Sequence, residues 1–246
     1  MTQKMLILKA GSTYSAIQKV DGDFENWIQA TMGISVKDIF VMDVEESKEL
    51  PNLKQISGVV ITGSHDPITK KSSKQRKLCE WIKNLIAADL PILGVGYGYQ
   101  LIAKALGGKI GDMSTTGPEY GTRKLTRTAQ GKKDPLFALL SNSFDAQVAH
   151  FQMLVKPPKD AVVLAYSKTV PYQAIRFRPY VWGVQFHPEF NLKIMESYID
   201  ITKKLLAEDK KTSVRLRKTV RASYEAAEVL YRFAQLCQQP NSPLSL

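Results

Sequence analysis

The chain is short of cysteine and histidine, with two of the first and three of the second in 246 residues. Two cysteines, Cys79 and Cys237, build no disulfide framework and no thiolate metal cluster. Cys79 lies in a helix-like stretch, Lys77-Leu78-Cys79-Glu80-Trp81, where a small buried thiol is expected rather than a nucleophile. No run approaches the roughly 18 apolar residues of a membrane span. The opening, Met1-Thr2-Gln3-Lys4-Met5-Leu6-Ile7-Leu8-Lys9, has too short an apolar part for a signal peptide and reads as a first strand, so a cytoplasmic location is expected. No Gly-rich ATP-binding P-loop is present. Acidic residues are outnumbered, 23 against 34 basic, for a net charge of +11. Such a balance can mark a nucleic-acid partner. Here the basic residues are spread along the chain, with one dense patch over 203–221 and no nucleic-acid-binding motif. A solvated basic surface is the expectation, and nucleic-acid association stays as an alternative.

What is present is an ordinary globular composition, 44% hydrophobic and 23% charged, at a length that one core can serve. Near-continuous Val/Ile/Leu runs at 5–9, 39–44, 58–62 and 92–95 suit parallel strands covered on both faces. Helix-like segments at 24–32, 74–88 and 99–106 alternate with them, and Gly107-Gly108 stops the third. Alternation of strand and helix predicts a doubly wound, mostly parallel α/β sheet. Between 109 and 185 the texture changes to shorter strand-like pieces, at 122–128, 147–155, 162–166, 173–177 and 182–185. These predict an antiparallel extension leading back into the sheet. From 191 to about 238 apolar residues recur at helical spacing, and 240–246 reads as a loose tail. The expected organisation is a domain over 1–208 and a C-terminal helical appendage, 209–246, packed on it.

Two motifs carry the chemistry. Gly94-Val95-Gly96-Tyr97-Gly98 ends a strand and enters a helix. Small residues two before and two after a central position allow the sharp turn of a nucleophile elbow. The backbone N–H after the centre, that of Tyr97, then points where an oxyanion would form. The competing reading is a Gly-rich phosphate loop, but the spacing departs from Gly-x-Gly-x-x-Gly. The second motif is Gly183-Val184-Gln185-Phe186-His187-Pro188-Glu189. Positions i and i+2 of an extended chain point the same way, so His187 and Glu189 can face one site as a base and the carboxylate that fixes its tautomer.

Taken together, the two motifs resemble the class I glutamine amidotransferase family, and the opening and the C-terminal helices resemble its stand-alone, GMP-synthase-like branch. The resemblance implies the flavodoxin-like, class I glutaminase type of fold. It also implies a Cys-His-Glu triad that hydrolyses the glutamine side-chain amide through a thioester. Position 96 would hold the nucleophile, yet it is glycine. By the same resemblance His187 is the base and Glu189 its orienter, while Tyr97 and Gly63 supply oxyanion N–H groups. Gln100 and Glu119 fall at glutamine-contacting positions. No cofactor or metal is implied. Glutamine or a related small molecule is the implied ligand, and a synthetase the implied partner, with no membrane. Tyr99 stands where the family often has histidine, and His65-Asp66-Pro67 is an unusual continuation of the Gly63 loop. His65 and His150 are further site candidates beside a reading as merely solvated or bordering residues.

The expectation is therefore a glutaminase-inactive relative, either a natural pseudoenzyme or an engineered variant. The alternatives are a non-catalytic module that binds a metabolite or a partner, and a basic nucleic-acid-associated protein. Direct attack by water with His187 as base ranks behind these.

Overall fold

The computed structural model describes residues 3–113, 117–205 and 216–238. Much of the basic stretch at 203–221, the expected boundary at 208/209 and the tail at 240–246 lie outside those residues.

Nine strands form one sheet, and two more form a separate antiparallel pair. In chain order they are β1 (Lys4–Lys9), β2 (Ile39–Asp43), β3 (Ile56–Ile61), β4 (Ile92–Val95), β5 (Lys109–Asp112) and β6 (Glu119–Arg127). Then come β7 (Ser143–His150), β8 (Gln152–Lys156), β9 (Val162–Tyr166), β10 (Ala174–Arg178) and β11 (Val181–Val184). The sheet order is β2-β1-β3-β4-β11-β10-β9-β6-β7. Neighbours from β2 to β11 run parallel, and those from β11 to β7 antiparallel. The helices are α1 (Ser15–Asp21), α2 (Phe24–Met32), α3 (Ser73–Ala87), α4 (Tyr97–Ala105), α5 (Leu192–Leu205) and α6 (Tyr224–Gln238). This is the doubly wound, flavodoxin-like sheet with an antiparallel extension that the alternation predicts.

Successive strand residues point to opposite faces, and here both faces are buried. Met5 and Ile7 pack with Val60, Leu93 and Trp182 beneath Phe233 of α6. Leu6 and Leu8 pack with Val59, Ile61 and Ile92 against the α3 and α4 side. That double burial explains why the parallel strands read as unbroken apolar runs. Local signals start the helices: Asp23 caps α2 in a capping box with Asn26, and the Ser72 side chain accepts from Gln75 N at the start of α3.

The piece expected as one strand over 147–155 is two. The chain bends at Phe151, so that β7 pairs with β6 in the large sheet while β8 pairs with β5 in the small one. Apolar alternation runs through the bend unchanged, because both halves have one buried face. Strand β5 and helix α1 escape the sequence reading; each is short.

At the β4–α4 turn backbone packs directly on backbone. A Cβ at Gly98 would stand 2.3 Å from the Ile61 carbonyl oxygen, and one at Gly94 would stand 2.6 Å from the Gly98 carbonyl. Both neighbours are backbone and cannot swing away. Gly98→Ala is therefore expected to destabilise the protein by about 1–3 kcal/mol, read as a lower urea midpoint at unchanged slope. Wild-type stability in that variant would rule out the close approach of α4 to β3.

Candidate functional site

The turn that follows β4 puts Gly96 at φ 54° and ψ −107°, the N-cap of α4, with no side chain to cap the helix. A left-handed φ of this kind strains any residue with a Cβ. It is also the kind of backbone on which an elbow presents its central residue to a site. Gly96 N donates to Val184 O at 2.8 Å, which ties the turn to β11. From there the chain runs straight into His187.

His187 Nδ1 lies 2.8 Å from Glu189 Oε1. A carboxylate at that distance selects the Nδ1–H tautomer, which leaves the Nε2 lone pair free. The ring is stacked on Phe190, with centroids 4.2 Å apart and planes 21° apart, and it also faces Phe24. His187 N donates to Gln147 O at 2.8 Å, which fixes the loop to β7. The imidazole leans over the glycine. A Cβ on Gly96 would be 2.9 Å from Cε1 and 3.0 Å from Nε2 of His187. The base occupies the side of the turn where a residue 96 side chain would begin.

A cavity of about 60 Å³ opens at this point, and all three histidines line it, His65 and His150 together with His187. Gly96, Tyr97 and Gln100 line it as well, inside a wall that includes Tyr14, Phe24 and Tyr198. Gly63 and Glu119 are not among the lining residues. Gly63 is packed under Phe24, whose ring would stand 2.9 Å from a Cβ there. Gln100 is buried, and its side-chain amide donates to Gln152 O at 2.9 Å and to Gln185 Oε1 at 3.0 Å. Gln152 in turn accepts from Ile68 N at 2.9 Å, so the loop carrying His65 is anchored to β8.

Glu119 lies one layer back. Strand register sets it opposite His150, and its Oε2 stands 3.3 Å from His150 Nε2. Arg123 Nε donates to its Oε1 at 3.3 Å, and the Thr169 hydroxyl donates to the same oxygen. Burial pushes the Glu119 carboxyl up, but His150, Thr169 and Arg123 outweigh it and hold it down at about 2. The second histidine–carboxylate pair is a product of β6–β7 register, which sequence does not reveal. The aromatic wall is likewise drawn from distant places, Tyr14 before α1, Phe24 in α2 and Tyr198 in α5.

His65 Nε2 lies 3.1 Å from the Tyr198 hydroxyl, which also meets Thr13 Oγ1 at 2.7 Å. Burial first, and the neighbouring His187 second, push the His65 imidazole down to about 4, against the pull of Asp23 and Asp66. Among the described residues no group of three or more His, Cys, Asp or Glu side chains is placed to hold a metal ion. No helix among them is long and apolar enough to cross a membrane.

A family model described as glutamine amidotransferase class-I matches residues 24–202. A glutamine-hydrolyzing GMP synthase subunit of Methanocaldococcus jannaschii is 31% identical over 159 residues, 64% of this chain and 77% of that one. Its counterpart in Sulfolobus acidocaldarius is 30% identical over 180 residues, 69% of this chain and 92% of that one. In three dimensions the chain is similar to a glutamine amidotransferase of Thermotoga maritima, with a TM-score of 0.74 and 18% identity. That match covers 97% of this chain and all of the other.

The His65 environment sets a pH dependence. An imidazole whose native pKa is depressed gives its full stabilisation above 6.5 and loses it as pH falls from 6.5 to about 4. Over that window the wild type should lose more unfolding free energy than His65→Gln. One histidine Cε1–H resonance should titrate near pH 4 and vanish in the variant. Three histidines that all titrate above about pH 6, in the ordinary imidazole range, would contradict the buried ring.

Proposed function

Because the chain belongs to the class I glutamine amidotransferase family and is GMP-synthase-like, we propose that it keeps the family's amide-binding cavity and acid–base pair but cannot form the thioester. The observation that carries this reading is Gly96 on an elbow backbone, φ 54°, under the His187 ring. The thioester route needs a side-chain nucleophile whose proton the imidazole removes. Glycine offers neither sulfur nor oxygen. The pair of His187 and Glu189 supplies a base with its tautomer set, and the Tyr97 N–H at the open end of α4 supplies one oxyanion donor. Gly63 is the second donor candidate, on the loop beside Ser64 and His65.

On this reading a carboxamide such as that of glutamine binds next to His187 without reacting. Gln100 acts on the cavity wall through its bond to Gln185. Glu119 acts through His150 rather than as a free carboxylate, since three groups already engage it. Relatives named as single subunits of a GMP synthase support a separate partner chain that carries the synthetase. Residues beyond 208 belong to the same unit, supported by Val229, Leu230 and Phe233 of α6 in the main core. A nucleic-acid role is disfavoured because Arg217, Arg221 and Lys193 are engaged by Asp200, Asp145 and Asp21.

The test is covalent trapping. Burial pushes both native thiols up, Cys79 and Cys237 alike, so neither competes as a nucleophile. The wild type should release ammonia from glutamine at the background rate and take no label from a glutamine-mimicking chloroketone. Gly96→Cys places a thiol at a helix N-terminus beside an imidazole, and mass spectrometry should find residue 96 alkylated. The same change costs about 1–3 kcal/mol of stability through its backbone angle and the displaced ring. Label confined to Cys79 and Cys237, or wild-type turnover, would refute the reading.

A further inference from the structure

Beside the Gly96 cavity lies a second and larger one, of about 520 Å³. It is lined by the end of β2, by the loop before α3 and by the first turns of that helix. Asp66 and Tyr97 line both cavities and form the ridge between them. Tyr97 is the residue that follows Gly96, so the ridge begins at the turn itself.

Volume decides what each space can hold. The first, about 60 Å³, takes about four water-sized groups at roughly 15 Å³ each. A terminal carboxamide fills it, and the rest of any ligand must lie outside. The second falls within the range of about 300–1,000 Å³ usual for small-molecule sites. Its polarity is uneven. Lys74 is neutralised by Glu45 at 2.9 Å and by Asp66. Lys77 donates to the carbonyls of Val44 at 2.6 Å and Ser47 at 2.9 Å and lies over the Trp81 ring, 5.1 Å from its centroid; among the described residues it forms no ion pair. Lys70 is exposed, and among the described residues it forms no ion pair. Three lysines against two carboxylates leave this cavity net positive by one.

We propose that the two cavities form one extended site for an elongated ligand, with a carboxamide head at Gly96 and His187 and an anionic tail between Lys70 and Lys77. The inference rests on the reading of the Gly96 cavity as an amide pocket and adds the ligand's length and tail charge. The chain of the ligand crosses the Tyr97–Asp66 ridge. Its tail meets lysines that form no ion pair among the described residues, while the head lies against the His187 imidazole. The carboxamide of glutamine alone fills the first cavity.

Two probe series separate the parts. One is neutral monoamides from propionamide to octanamide. The other is ω-amic acids of matching length, with an amide at one end and a carboxylate at the other. Dissociation constants come from NMR titration, with the backbone amides of Tyr97 and Lys70 as reporters. The amic acids should overtake the monoamides once the chain is long enough, by about two- to fivefold for each lysine reached. Lys70→Glu should erase its share of that gain and leave monoamide binding unchanged; Lys70→Gln should remove about half as much. Salt at about 0.5 M should shrink the gain as well. Monoamide binding with no gain at any length, or a gain untouched by Lys70→Glu, would overturn the extended site and leave the amide pocket standing. No binding by either series would overturn both.

Discussion

The site depends on a contact between backbones. Helix α4 can start where it does only because Gly98 lets it touch the Ile61 carbonyl and Gly94 lets the turn close on Gly98. That contact fixes the first N–H groups of α4 at the edge of the sheet. It also sets Gly96 in the left-handed region, which in turn aims the turn at the loop after β11. Because β4 and β11 are parallel neighbours in register, the two motifs of the sequence, about 90 residues apart, end side by side. The acid–base pair is thus placed by sheet pairing and needs no long-range side-chain bond to hold it.

Around that frame the cavity is built largely from polar side chains, and some of their atoms, among them both ring nitrogens of His150, have no hydrogen-bond partner. Six buried glutamines, at 75, 100, 147, 152, 173 and 185, stand where a core would ordinarily be apolar. An amide both donates and accepts, so Gln100, Gln152 and Gln185 can link α4, β8 and the end of β11 without any net charge. Each buried carboxylate at the site faces an imidazole, Glu189 that of His187 and Glu119 that of His150. Burial of the Tyr14 hydroxyl pushes it up to about 12, and that of Tyr198 moves the same way, so both stay neutral on the wall. A wall made mainly of amides and neutral phenols, with one oriented imidazole, suits a neutral, strongly hydrogen-bonding head group.

Much of this was legible in the sequence, and the boundary is physical. The parallel strands and the helices between them are local patterns, and residues 24–32 and 92–95 fall on α2 and β4 to the residue. Gly96, His187 and Glu189 were legible because their spacing along a strand or turn already dictates direction. What escaped is what pairing decides. The β7–β8 break at Phe151 changes sheets without changing the apolar alternation. The facing of Glu119 and His150 depends on register, and the engagement of Lys74 with Glu45 and Asp66 depends on three separate segments. The ring of His187 over Gly96 is likewise a tertiary fact, since no pattern in either motif states that the ring would lie over the glycine.

That cover makes the glycine hard to replace. Glycine and cysteine codons lie one base apart, so a thiol at position 96 is a short step for a gene. For the fold it is a longer one. The ring that covers Gly96 is held by Glu189 on one side and Phe190 on another. A new side chain must therefore move a group that two neighbours hold in place. Positions 96 and 187 are therefore coupled: any side chain at 96 is accepted only together with a shift of the histidine ring, and the effect of changing one position depends on the other.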